Sequence, residues 1–315
     1  MVYHVFVETM YKLRVVTDAS ECQEIWRRVI LQETIWDLWE TRTCFHAHFQ
    51  RPLCFYVVEQ AGKIYGLLPL CKIEENNSLA YFPGETWQEK TWLEQNRIFA
   101  RDANMLAALL EQCPLPYHIR YLLPLDFVPE DRRVVDEKGF LFLPPRYDYN
   151  VENFFQEFSR RSLTRLKNDL AAFESLGVRY RYNDLADFDQ IIQLNLDRFG
   201  ESSFFDDTRF CEGFRSLLHF LHNKSWLRLT AVLINDELVA VDMGCIYRGT
   251  YTLFAGGTNA SYPGVAKLIN THHMQYACRE KLQAMDFLCG GSSWKNIFHL
   301  SPRPLYLLSN ANKKP

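Results

Sequence analysis

The sequence predicts an α/β protein, α+β in its mixed sheets, built as two tandem units. Three observations carry this prediction. The 315 residues suit two domains at a prior of about 150 residues each. Hydrophobic residues make up 48% and charged residues 23%, which excludes a disordered, collagenous or coiled-coil chain. Each half also reads β-α-α-β-β-β-α-β with hairpin turns at matching places, a pattern of elements that points to duplication although residue identity between the halves is poor.

In the first half, alternation over 11–16 predicts a strand, and Asp18 or Ser20 caps a helix to about Val29. Ile35, Leu38, Trp39 and Phe45 at helical spacing predict a second helix over about 34–49, stopped by Pro52. Two β-rich runs, 53–59 and 63–72, flank the turn Ala61-Gly62, and 78–82 follows the polar turn Glu75-Asn76-Asn77. A helix over about 102–111 and a strand over 118–123 complete the unit. The second half repeats the order: strand 178–182, helices 187–199 and about 207–221, strands 227–234 and 238–246 around Asn235-Asp236, strand 250–255, helix 264–282 and strand 284–288. The domains are placed at 1–150 and 151–315.

Lys plus Arg number 35 against 38 for Asp plus Glu, so the net charge is −3 and no global field holds a nucleic-acid backbone; a local basic patch is still allowed. One dense basic cluster, Arg160, Arg161, Arg165 and Lys167, follows Phe154, Phe155 and Phe158. It reads either as the solvated face of a connecting helix or as the edge of a cleft that supplies cations to an anionic ligand. The nine cysteines form no Cys-x-x-Cys and several sit in apolar runs, the usage of a reduced compartment. With no signal-peptide pattern and no apolar run of membrane-spanning length, a cytoplasmic protein with no membrane partner is expected. The pairs His46-x-His48, His219-x-x-His222 and His272-His273 lack metal-site spacing, so no metal is expected. His272 falls on a helical face with Leu268, Ile269 and Tyr276 as a core or pocket-wall residue, and His273 points elsewhere.

Two segments concentrate chemistry. In 250–267 a strand ends at Gly256-Gly257, a polar loop follows, and a helix begins near Gly264. Paired glycines let a strand bulge or splay, and a helix start offers unpaired N–H groups suited to a pyrophosphate. In 285–298 a buried strand carries Asp286 and ends in Gly290-Gly291, ahead of Trp294 and Lys295. Asp286 is either a hydrogen-bond anchor or a base, and Lys295 can meet developing negative charge at a strand end. Asp242, between Val241 and Met243, is a second carboxylate in an apolar strand and a second base candidate.

These segments carry a resemblance. Phe158-Ser-Arg-Arg-Ser-Leu-Thr-Arg165, Tyr251-Thr-Leu-Phe-Ala-Gly-Gly257, Tyr262-Pro-Gly-Val-Ala-Lys-Leu268 and Asp286-Phe-Leu-Cys-Gly-Gly291 leading to Trp294-Lys295 resemble the GNAT superfamily of acyltransferases, in its FemAB-like and CelD-type branch. The resemblance covers 151–298 and reaches the first half only through element order and the 62–69 segment. It implies two GNAT-like domains, an acceptor-side structural one and a catalytic second one, with the active site near their junction. In such enzymes an acyl carrier slots between two splayed central strands, which implies carrier contacts from Phe254, Ala255 and Gly256, and from Tyr262, Gly264, Val265, Ala266 and Lys267. The usual Arg/Gln-x-x-Gly-x-Gly/Ala carrier pattern stands here as Ser261-Tyr-Pro-Gly264-Val-Ala266. By the same resemblance Lys295 stabilises negative charge during transfer; Asp286 and Asp242 remain the two base candidates read from the residues themselves. Arg161, Arg165, Tyr251, His272 and Trp294 are the expected substrate contacts.

The expected function is N-acyl transfer from acyl-CoA to the amine of a small or amino-acid-like acceptor. Aminoacyl transfer from a charged tRNA is the alternative, and a catalytically silent GNAT-like binding module is a third reading.

Overall fold

The computed structural model describes residues 11–310. The chain divides into two compact units, Met1–Asp136 with Leu305–Pro315, and Glu137–Pro304. The division expected between 150 and 151 thus falls earlier, and the C-terminal segment goes with the first unit. The reason is two strands that the sequence does not announce, Val134–Phe142 and Ser301–Ser309, each of which runs through the division.

In the first unit the elements are β1 (Lys12–Val16), α1 (Ala19–Val29), α2 (Trp39–Phe49), β2 (Leu53–Gln60), β3 (Lys63–Ile73), β4 (Ser78–Tyr81), the two-residue strands β5 (Thr86–Trp87), β6 (Lys90–Thr91) and β7 (Phe99–Ala100), α3 (Ala103–Glu111) and β8 (His118–Leu122). Setting aside the short strands between β4 and α3, this is the expected order. Asp18 caps α1 by accepting the Glu21 N–H at 2.9 Å, and α1 buries Cys22, Ile25 and Trp26. The single helix expected over 34–49 is broken. Asp37 accepts the Thr34 N–H at 2.7 Å and its hydroxyl at 3.0 Å, which holds a 3-10 turn over Ile35–Asp37, and Leu38 is extended before α2 starts. The sheet runs β1-β2-β3-β4 with antiparallel pairing, and β7 also joins β3. Trp26, Phe55, Leu67, Leu68 and Phe82 sit in its core. Each such burial stabilises by about 1.5–3 kcal/mol.

The strand β9 (Val134–Phe142) leads into the second unit: α4 (Val151–Phe155), α5 (Arg160–Glu174), β10 (Arg179–Tyr182), α6 (Asp187–Phe199), α7 (Thr208–Asn223), β11 (Leu227–Ile234), β12 (Glu237–Tyr247), β13 (Thr250–Thr258), α8 (Val265–Arg279), β14 (Ala284–Asp286), α9 (Ser292–Ile297) and β15 (Ser301–Ser309). From β10 to β14 the order is again β-α-α-β-β-β-α-β. The sheet runs β10-β11-β12-β13-β14-β9. Asn235 and Asp236 both take positive φ (51° and 66°), the conformation a tight β11–β12 hairpin requires. Only β13 and β14 are parallel in this run, and α8 makes the crossover that a parallel pair needs.

That parallel pair positions the site. Its registered pairing covers Thr250↔Ala284 to Thr252↔Asp286, whereas β13 stays paired with β12 out to Ala240↔Thr258. Residues 253–258 of β13 therefore run on past the end of β14. No helix among the described residues is long and apolar enough to cross a membrane.

Candidate active site

Cross-strand register places Thr230 of β11, Asp242 of β12 and Gly256 of β13 side by side, so they share one face of the sheet. Onto this face α8 brings His273, whose Nε2 lies 3.1 Å from Asp242 Oδ2 and whose Nδ1 lies 3.1 Å from the Tyr251 hydroxyl. Burial pushes the Tyr251 phenol well above its usual value, so it stays an O–H donor. It then donates to Nδ1, and Nε2–H donates to Asp242, which gives one consistent tautomer. His273 and Tyr251 are 0% exposed, whereas the Asp242 side chain is 15% exposed. Asp242 is thus the member of this chain that is open to solvent.

Three glycines make room for the arrangement. A Cβ at Gly244 would meet the Tyr251 ring at 2.7 Å, one at Gly256 would meet Asp242 Oδ1 at 1.7 Å, and one at Gly257 would meet Leu194 of α6 at 2.7 Å. The pair Gly256-Gly257 therefore serves close approach to Asp242 and Leu194 while β13 stays paired with β12 there. Asn195 of α6 pins the same spot by donating to the Gly256 carbonyl at 2.8 Å. Phe254 is buried at the β12–β13 register shift, and Ala255 is half-buried beside it.

At the start of α8, Gly264 takes φ 95°, a left-handed conformation that favours glycine. The N–H groups of Val265 and Lys267 are donated to the Tyr262 and Gly264 carbonyls at 3.1 and 2.9 Å. Those of Gly264 and Ala266 make no bond among the described residues. A cavity of about 450 Å³ opens here, lined by Arg165, Asp169, Phe173, Gly264 and Lys267 among others. Lys267 pairs with Asp169 at 2.5 Å. Arg160, Arg161 and Arg165 are exposed along α5 and line an adjoining hollow, and no ion pair holds any of them among the described residues. Val265 is 1% exposed, so its side chain belongs to the core and contributes no surface for a carrier. The Tyr262 hydroxyl donates to Glu237 at 2.8 Å.

The remaining predicted residues have structural partners. Asp286 is 1% exposed, accepts the Leu288 N–H at 3.0 Å and pairs with Arg303 at 3.0 Å. These contacts are those of a hydrogen-bond anchor. Lys295 is 4% exposed and donates to the carbonyls of Phe287, Leu288 and Cys289 at 2.8–2.9 Å. These three bonds match the three protons of an ammonium and tie down the chain that leaves β14. Trp294 packs edge-on against Phe287 and Phe298. Tyr251 is fully buried beneath His273 and cannot touch a substrate. His272 stacks on Tyr180 with ring centroids 3.8 Å apart, and its Nε2 lies 2.9 Å from the Tyr182 hydroxyl.

His273 was expected off the apolar face and is instead at the centre of the site. The signal for it was present: Ile269, His273 and Ala277 form an i, i+4 row, and all three are buried.

Residues 158–296 match the family model described as an acetyltransferase (GNAT) domain. The match falls within the second unit, whose fold is GNAT-like. The structure of L-PGS from Bacillus licheniformis superposes with a TM-score of 0.59 at 12% identity, over 95% of this chain and 93% of that one. FemX superposes with a TM-score of 0.55 at 9% identity, over 93% and 95%. The tandem GNAT protein from the clavulanic acid biosynthesis pathway gives 0.55 at 9% identity, over 95% and 97%. At these identities the likeness establishes the fold, two tandem GNAT-like domains. No curated protein matches the chain in sequence.

Proposed function

We propose that the second unit transfers an acyl group from acyl-CoA to the amine of a small or amino-acid-like acceptor. The observation that carries this reading is the Asp242–His273–Tyr251 chain, set against Gly256 on the part of β13 that runs past β14. The part of β13 that runs past β14 would hold the thioester carbonyl by backbone N–H groups, which also stabilise the oxyanion. The amine nitrogen attacks the carbonyl carbon, Asp242 takes the proton that the nitrogen loses, and the C–S bond breaks to release the thiolate, which is then protonated. His273 and Tyr251 are positioning residues that fix the carboxylate. The carrier's phosphates would lie at the Gly264 and Ala266 N–H groups, beside Arg165.

A second reading, aminoacyl transfer from charged tRNA, is favoured by Arg160, Arg161 and Arg165, exposed on one helix without ion pairs among the described residues. Such a row can follow a nucleic-acid backbone as well as a short pyrophosphate.

The test is thiol release from acyl-CoA with a panel of primary amines and amino acids. The wild-type chain should turn over with at least one acceptor, and Asp242→Asn should be slower by about 10²–10⁴. Equal turnover in the two would remove Asp242 from the reaction.

A further inference from the structure

The first unit holds a cavity of about 450 Å³ whose lining includes Arg42, Tyr81, Phe82, Glu85, Asn96 and His118. It lies against β4 and β8, and Leu79 of β4 forms a parallel bridge with Tyr117, the residue before β8. By element order these strands are the first unit's counterparts of β13 and β14. A second acyl carrier is a poor occupant. The helix that follows, α3, is capped by Asp102, which accepts the Met105 N–H at 2.9 Å. A carboxylate stands there in place of the uncapped Gly264, and it repels a pyrophosphate.

The lining has a more specific chemistry. Asn96 is 4% exposed, and its Nδ2 donates to the Arg120 carbonyl at 2.8 Å, which fixes the orientation of the amide. Its Oδ1 is then a buried acceptor with no hydrogen-bond partner among the described residues. An acceptor of this kind calls for a donor. Arg42 is 1% exposed and donates to two backbone carbonyls, Trp36 at 2.8 Å and Phe82 at 2.7 Å, while its guanidinium lies 4.8 Å from the centre of the Tyr81 ring. Among the described residues no carboxylate makes an ion pair with it. Glu85, 2% exposed, accepts on Oε1 from Thr91 and from the N–H groups of Trp92 and Leu93. A buried cation, a buried carboxyl and an orphaned acceptor thus line one cavity of ordinary ligand-pocket size.

We propose that this cavity binds a small zwitterion of the α-amino-acid class, its carboxylate on Arg42 and its ammonium on Asn96 Oδ1 and Glu85. The proposal does not depend on the acyl-transfer reading of the second unit.

Isothermal titration of the full chain tests it, using free L-α-amino acids, the matching amines without a carboxylate, and the matching acids without an amine. The expected result is saturable binding of at least one amino acid, with its amine and acid counterparts weaker by about tenfold or more. Asn96→Ser should weaken that binding by about tenfold, and Asp242→Asn should leave it unchanged. His118→Trp, at an exposed lining position, should block it without touching the core. Three results would each overturn the proposal: no saturable binding of any amino acid to the wild type, simple carboxylic acids binding as tightly as amino acids, or binding that survives His118→Trp and is lost in Asp242→Asn. Because the titration reads binding and not turnover, a failed acyl-transfer assay leaves its outcome intact.

Discussion

The carboxylate of Asp242 fills the space that a side chain at Gly256 would need, since a Cβ there would come within 1.7 Å of Asp242 Oδ1. Gly256→Ala must displace the carboxylate and with it the hydrogen bond to His273. We expect that variant to fold with a loss of about 1–3 kcal/mol and to be as slow as Asp242→Asn. Combining Gly256→Ala with Asp242→Gly should relieve the clash but recover neither the full melting temperature, since His273 loses its acceptor, nor the turnover. A fully active Gly256→Ala enzyme would contradict this packing.

His273 acts through Asp242, so its replacement should separate kcat from KM. In His273→Gln, kcat should fall by about tenfold or more, because positioning contributes to rate, while KM for the acyl donor stays the same. A rise in KM for the donor with kcat intact would mean that His273 shapes the carrier site instead.

Lys295→Met should be destabilising whatever its effect on catalysis. The substitution strips three carbonyls of a shared charged donor inside the second unit, a loss of about 3 kcal/mol or more. Urea unfolding measures it, and an unchanged midpoint would show that the cation does not hold the chain after β14.

His272 should make stability depend on pH. Burial, then the neighbouring His273, Arg228 and Arg279, lower its pKa from the ordinary 6.5 to about 3. The folded state therefore resists a proton that the unfolded state takes up below about 6.5. Stability should be full above that pH and decline as pH falls through the window toward 3. The His272→Phe variant, which keeps the stack on Tyr180, should show a shallower decline in melting temperature between pH 6.5 and 4. An equally steep decline would assign the effect to other groups.

The sequence made the regular elements legible where one apolar period ran without interruption, as in α6 and β11, whose bounds match the expected ones. It concealed β9 and β15. The first opens on Val-Val-Asp-Glu-Lys and the second carries Pro302, Arg303 and Pro304, so neither shows alternation, and each depends on a partner distant in sequence. Asp242 was legible because a carboxylate in an apolar strand demands a partner. Its partner was not, because α8 is buried on most sides, and a single stripe through His272 does not mark which face is inside. The glycines at 244, 256 and 257 were visible as residues, but what they make room for depends on side chains from other strands and helices.

The donor is tested most directly by equilibrium binding of acetyl-CoA and, separately, of charged tRNA to the full chain across a salt series, with Gly264→Glu as the control. We predict saturable binding of acetyl-CoA that Gly264→Glu abolishes while the fold persists, because the added carboxylate stands at the uncapped start of α8. Tight, salt-sensitive binding of charged tRNA, with no detectable binding of any acyl-CoA, would contradict the acyl-CoA assignment.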